Sequence, residues 1–167
     1  DAFGPAWLVK GIRYVPGARE EMAALDNANL RDTAIIQNEF KSSIPFEPQW
    51  DSAASISLVK NNNDVINYKF SAGSNQFVVF SEVYYKAGWK ALIDGKEAPI
   101  VKVNYVLRGL AVPSGQHNIE FRFEPKGYAT GRTITSVATI ILVLILLAGI
   151  FMEWRARRLA LSPAAKA

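Results

Sequence analysis

The 167-residue sequence has no cysteine and a single histidine. Without cysteine there is no disulfide, no thiolate nucleophile and no Cys-based metal site. One histidine, His117, excludes a His-based metal centre and leaves one possible base for a Ser–His–Asp triad. It follows the Ser114-Gly115 turn in phase with Ile119, and so reads as a solvated hairpin residue. No GxSxG, GxGxxG or P-loop pattern occurs. The adjacent carboxylates Glu20 and Glu21 fall at a helix start, Glu82 on a strand and Asp94 in a turn, so no acid–base pair stands out. Asn61 to Asp64 carries oxygen ligands without calcium-loop spacing and reads as a turn. The residues therefore imply no catalytic group, no metal and no cofactor.

A charge of one sign is also lacking over most of the chain. The formal net charge is +4, yet Arg155, Arg157, Arg158 and Lys166 oppose Glu153 alone at the C-terminus. The first 132 residues hold 15 Lys and Arg against 14 Asp and Glu. Near balance with interspersed signs excludes a nucleic-acid surface.

What is present is one long apolar run. Ile134 to Met152 (ITSVATIILVLILLAGIFM) contains no charge. At 1.5 Å per residue it is close to the ~20 residues that cross a ~30 Å hydrocarbon layer. About 130 remaining residues could not cover such a helix in a soluble core, so it reads as a transmembrane helix. The basic cluster Arg155-Ala156-Arg157-Arg158 marks the cytoplasmic side, with Trp154 and Tyr128 as interfacial anchors. Residues 1–131 are then expected outside the cytoplasm. Export of that part requires either a removed signal peptide or membrane helices upstream of Asp1.

The rest reads as strand after strand. Residues 6–15 (AWLVKGIRYV) form a strand broken at Gly11, and Ala18 to Leu25 a short helix with Met22 and Leu25 on one face. Thr33 to Gln37 is a strand, and Asn38 to Ser52 an irregular connection with Pro45 and Pro48. Strands are expected over Ser55–Lys60, Val65–Ser71, Phe77–Tyr85, Trp89–Ile93, Ile100–Val103, Tyr105–Val112 and 116–124. In the second of these Ile66, Tyr68 and Phe70 alternate with polar residues; Asp94-Gly95 is a tight hairpin signal. Short strands with turns every 8–12 residues specify a mainly β protein, an antiparallel β-sandwich with one short helix, followed by the membrane helix. The expected layout is an extracytoplasmic sandwich over 1–126, a junction over 127–133, a transmembrane helix over 134–154 and a basic cytoplasmic tail over 155–167.

Tyr84, Tyr85, Trp89 and Tyr105 lie within a short span, with Lys86, Lys90 and Arg108 near them. Flat sugar faces stack on such rings and sugar hydroxyls bond to such cationic heads. Tyr84, Tyr85, Trp89, Tyr105 and Arg108 are therefore the candidate ligand-binding residues. Core packing of the rings is the competing reading, and Arg108, in phase with Val106, Leu110 and Val112, is either a paired structural arginine or a binding one.

From Ser81 to Pro125 the order SEVYYKAGWKALIDGKEAPI, then NYVLRGLAVPSGQHNIEFRFEP, then a terminal membrane helix, resembles the C-terminal end of YfhO-family bacterial membrane proteins. The opening AWLVKGIRYV and the helix after it resemble the segment preceding this region in some members. The resemblance implies a long polytopic protein similar to GT-C glycosyltransferases, which take sugars from polyprenyl-phosphate donors at the outer face of the membrane. Their catalytic acids lie on an early loop that has no counterpart here, so no catalytic residue carries over. The resemblance implies a non-catalytic C-terminal domain in a bacterial cytoplasmic membrane. Its partners would be the bilayer, upstream helices, and a glycan or polyprenyl-linked sugar. The alternative is a stand-alone single-pass module that binds carbohydrate or protein.

Overall fold

A computed structural model describes residues 3–160, the side chains of 126–130 and 159–160 excepted. Tyr128 as an anchor and Lys166 in the tail lie outside these described side chains. The chain divides into two compact units, one ending at Glu124 and one beginning at Pro125.

The first unit holds β1 (Ala6–Val9), β2 (Gly11–Val15), α1 (Ala18–Leu25), β3 (Thr33–Gln37) and a 3-10 helix (Asn38–Ser43). Then follow β4 (Ser55–Asn61), β5 (Val65–Ala72), β6 (Gln76–Val83), β7 (Trp89–Ile93), β8 (Lys96–Ala98), β9 (Val101–Val103), β10 (Leu107–Val112) and β11 (Gly115–Phe123). Two antiparallel sheets form, in the orders β1-β6-β10-β9 and β4-β5-β11-β7-β8. Alternation along β5 and β11 turns Ile66, Tyr68 and Phe70, and Ile119 and Phe121, inward. There they meet Val78 and Phe80 of β6 and Leu110 and Val112 of β10. Ring centroids of Phe80 lie 4.7 Å from Phe121 and 5.0 Å from Tyr68, both edge-on. Each such buried ring contributes about 1.5–3 kcal/mol. The mainly β sandwich is as the pattern requires.

The outer face of the four-stranded sheet is apolar too, which explains why residues 77–80 are buried on both faces. Val9, Phe77, Val79, Val101 and Val103 pack there against Ala34 and Ile36 of β3. Strands β2 and β3 form a separate parallel pair. Parallel neighbours need a crossover, and α1 supplies it, with Ala24 against Val15 and Ile35. Gly11 therefore marks where one expected strand divides between two sheets.

Helix α1 buries a different face from the expected one. Met22 is exposed, while Glu21 and Ala24 are buried. The Glu21 carboxylate accepts from Gln37 Nε2 at 2.6 Å and from the Tyr105 backbone N–H at 2.8 Å, and Lys102 Nζ lies 3.9 Å away. A buried charge held by two donors and a cation turns its face inward despite Met22.

Two turns use left-handed backbone. Asp94 and Gly95 have φ of 50° and 81° between paired Ile93 and Lys96, the expected two-residue hairpin. Asn104 and Tyr105, at 49° and 71°, turn β9 into β10, so the strand expected from Tyr105 starts at Leu107.

The second unit is α2, Lys126–Ala160. Its helix begins before Ile134, so residues 127–133, expected as a junction, are helical, and the helix continues through the basic residues to Ala160. Apolarity marks only the stretch a membrane covers, whereas helical hydrogen bonding runs on where no proline interrupts it. The stretch Gly131–Arg158 is long and apolar enough to span a bilayer, with none of it buried by protein.

Candidate functional site

Strand β6 ends at Val83 because the Tyr84 N–H turns to Val106 O, at 2.7 Å, and the chain then crosses to the other sheet. Gly88 completes the crossing at φ 137°, with the Phe123 ring where a side chain would stand. This brings Tyr84, Tyr85 and Lys86 beside Trp89 and Lys90 at the start of β7. With Glu97, Ala98 and Ile100 they line a cleft of about 180 Å³. Phe123 backs it, 5.2 Å from the Trp89 ring and 6.4 Å from Tyr85. Tyr84 packs edge-on against Phe40 at 5.9 Å. Its hydroxyl pKa is raised, first by burial and then by Glu39. Lys90 Nζ is 3.0 Å from Glu124 Oε2, an exposed pair.

Arg108 supports this cleft from inside the protein. Its guanidinium carbon is 4.2 Å from the Trp89 ring centroid and 5.3 Å from that of Phe121, and the residue is 2% exposed. Nε donates to Val83 O at 2.9 Å, Nη2 is 3.5 Å from Glu82 Oε2, and Nη1 has no partner among the described residues. Burial lowers the Arg108 pKa, with Glu82 opposing it. Burial likewise pushes Tyr68 up to about 12. Cation–π contact in so dry a setting reaches about 2 kcal/mol and fixes the indole in place.

Of the five candidate residues, the structure gathers Tyr84, Tyr85 and Trp89 in one cleft and sets Arg108 behind Trp89. Tyr105 is elsewhere, tied by its N–H to Glu21 and with Lys102 Nζ 5.3 Å from its ring centroid. The positive-φ turn carries it away from the cleft.

A second concavity lies on the five-stranded sheet, about 470 Å³ lined by Ser55, Ser57, Lys69, Phe70, Ser71, Gln116, His117 and Asn118. Its polar lining was visible only as the outward residues of alternating strands, an ordinary solvated pattern. His117 is not the solvated residue its position implies: its side chain is 18% exposed. The ring stacks on Phe70 at 6.1 Å, Nδ1 lies 2.6 Å from Asp94 Oδ2, and Nε2 lies 3.3 Å from Ser114 O. Asp94 Oδ1 also accepts from the Asn118 N–H at 2.9 Å. Both imidazole nitrogens thus face acceptors, and the pair clips the β7–β8 turn to β11.

Residues 48–135, more than half of the chain, match the family model described as bacterial membrane protein YfhO. The match begins ahead of β4, takes in the cleft and ends within α2; the opening AWLVKGIRYV lies outside it. Comparison with curated proteins and with solved structures gave no match.

Proposed function

The chain belongs to the YfhO family of bacterial membrane proteins, and from that membership we propose that it is the non-catalytic C-terminal part of a polytopic GT-C-type glycosyltransferase. The protein would transfer sugars from a polyprenyl-phosphate donor to a cell-envelope glycan or lipid, in the bacterial cytoplasmic membrane. The sandwich is extracytoplasmic, and the basic end of α2, with Arg155, Arg157 and Arg158, is cytoplasmic. The observation that carries this reading is the family match running without a break into an apolar helix of membrane length.

The aromatic cleft is the place where the domain meets its glycan. At about 180 Å³ it is below the ~300–1,000 Å³ of drug-sized sites and suits a single ring. Trp89 offers a held face, Tyr84 and Tyr85 offer hydroxyls, and Lys86 and Lys90 offer donors. The Asp94–His117 pair is structural and transfers no proton in this reading.

Sugar transfer from a polyprenyl-phosphate donor, measured for the complete parent protein and for residues 1–167 alone, tests the assignment. The expected result is activity of the parent and none of the isolated chain. Turnover by the isolated chain that disappears with His117→Ala or Asp94→Asn would contradict it. Orientation is read from cysteines placed at Lys60, Lys96 and Lys166 and labelled with an impermeant reagent, which should reach the first two and spare the third.

A further inference from the structure

We propose that the end of the sandwich bearing Val83, Tyr85 and Val106 rests in the headgroup layer of the bilayer that α2 crosses. These residues are 64%, 56% and 48% exposed. They are neighbours: Leu107 pairs with Val83, and Val106 O accepts the Tyr84 N–H. A soluble surface normally scatters such residues singly, whereas this group adjoins Trp89 and Tyr84.

The covalent chain names the occupant. Trp89 pairs with Phe123 at the end of β11, and Phe123 lies three residues before Lys126, where α2 begins. The membrane-length stretch starts at Gly131. Eight residues separate Phe123 from Gly131, so the strand paired with Trp89 leads directly into the membrane-length stretch. The interfacial layer flanks such a stretch, and it is where aromatic rings with one polar tip concentrate. The β7–β8 turn at Lys96 is at the opposite end of β7.

Nearby charges make this an apolar contact and not a basic one. Lys90 is matched by Glu124, Arg122 by Glu120, and Arg108 by Glu82, leaving Lys86 and Glu97 at the cleft. Association therefore does not require anionic lipid. The inference rests on the patch and the chain connection, and does not depend on glycan transfer.

The test uses the full chain in nanodiscs of phosphatidylcholine, with single cysteines at Tyr85, Val106 and Lys96 carrying an environment-sensitive fluorophore. The absence of native cysteine makes the labelling unambiguous. With a quencher attached to the lipid headgroup, positions 85 and 106 should lose roughly half their emission and position 96 almost none, as expected for groups seated at interfacial depth. A second variant, Val83→Glu with Val106→Glu, alters exposed positions only and should abolish quenching at 85. Equal quenching at 85, 106 and 96, or none at 85 and 106, overturns the proposal; the patch would then face solvent or protein away from the headgroup layer.

Discussion

Asn104 and Ile35 satisfy one another twice: the Asn104 N–H donates to Ile35 O and the Asn104 side-chain Oδ1 accepts from the Ile35 N–H, both at 2.9 Å. Both residues are buried. The turn after β9 thereby extends the hydrogen bonding of β3 without adding a strand, and it joins the parallel pair to the sandwich.

Replacing Asn104 with Ala should remove the acceptor and place a side chain poorly suited to φ 49° in the turn. An unpaired buried N–H costs about 1–3 kcal/mol and the left-handed backbone another 1–2. Asn104→Gly loses the bond and keeps the turn, so its midpoint in urea unfolding should fall between wild type and Asn104→Ala. Equal midpoints for Ala and wild type would refute the clasp.

Gly109 faces Phe77, and an added Cβ would overlap the ring. Gly109→Ala should therefore cost about 1–3 kcal/mol through overpacking. Phe77→Leu alone also destabilises, but the double variant should be more stable than the sum of the singles. Thermal melts of the four proteins complete the cycle; simple additivity would show that the contact does not limit packing.

Arg108→Met should keep the fold and most of its stability, because the cost of burying a cation, one of whose nitrogens has no partner among the described residues, offsets its contact with Trp89. Arg108→Ala leaves a cavity and should cost about 2–4 kcal/mol. If Met proves as damaging as Ala, the guanidinium itself holds the core and its contact with Trp89 matters more than volume.

The Asp94 carboxyl is held below its ordinary range, first by the hydrogen bond to His117 and then by the Asn118 N–H. A depressed folded-state pKa contributes stability above the unfolded value, about 4, which is lost as pH falls through the folded value. Asp94→Asn should thus lower the urea midpoint at pH 6 and flatten its decline below about pH 4. Asp51 and Glu124 shift in the same direction, so the decline shrinks and does not vanish. An unchanged acid limb would mean that the His117 bond adds nothing.

Sequence made the sandwich legible where period-two alternation coincided with burial, as at Ile66, Tyr68 and Phe70 or Ile119 and Phe121. Phe77 to Phe80 were legible as strand, though not what covers their outer face, since a parallel pair leaves no mark at its partner's position. The face that α1 buries was not legible, because the donors that hold Glu21 lie 16 and 84 residues away. The turn at Asn104 and Tyr105 was missed because neither is glycine. Tyr84, Tyr85 and Trp89 come together in the cleft because one short crossing holds them all, while the turn that takes Tyr105 elsewhere carries no glycine to mark it. Arg108 could be placed on a strand but not behind a ring.

The sheet order β1-β6-β10-β9 also imposes an order in time. Ala6 pairs with Phe80, so β1 has no place until a loop of roughly seventy residues has closed, whereas the β4–β5 hairpin and the β2–α1–β3 unit can form locally. As the chain emerges, β1 waits with its ladder unpaired until β6 arrives. The last strand of the other sheet, β11, is followed at once by α2, so insertion of that helix into the membrane begins only when every strand of the sandwich has been made.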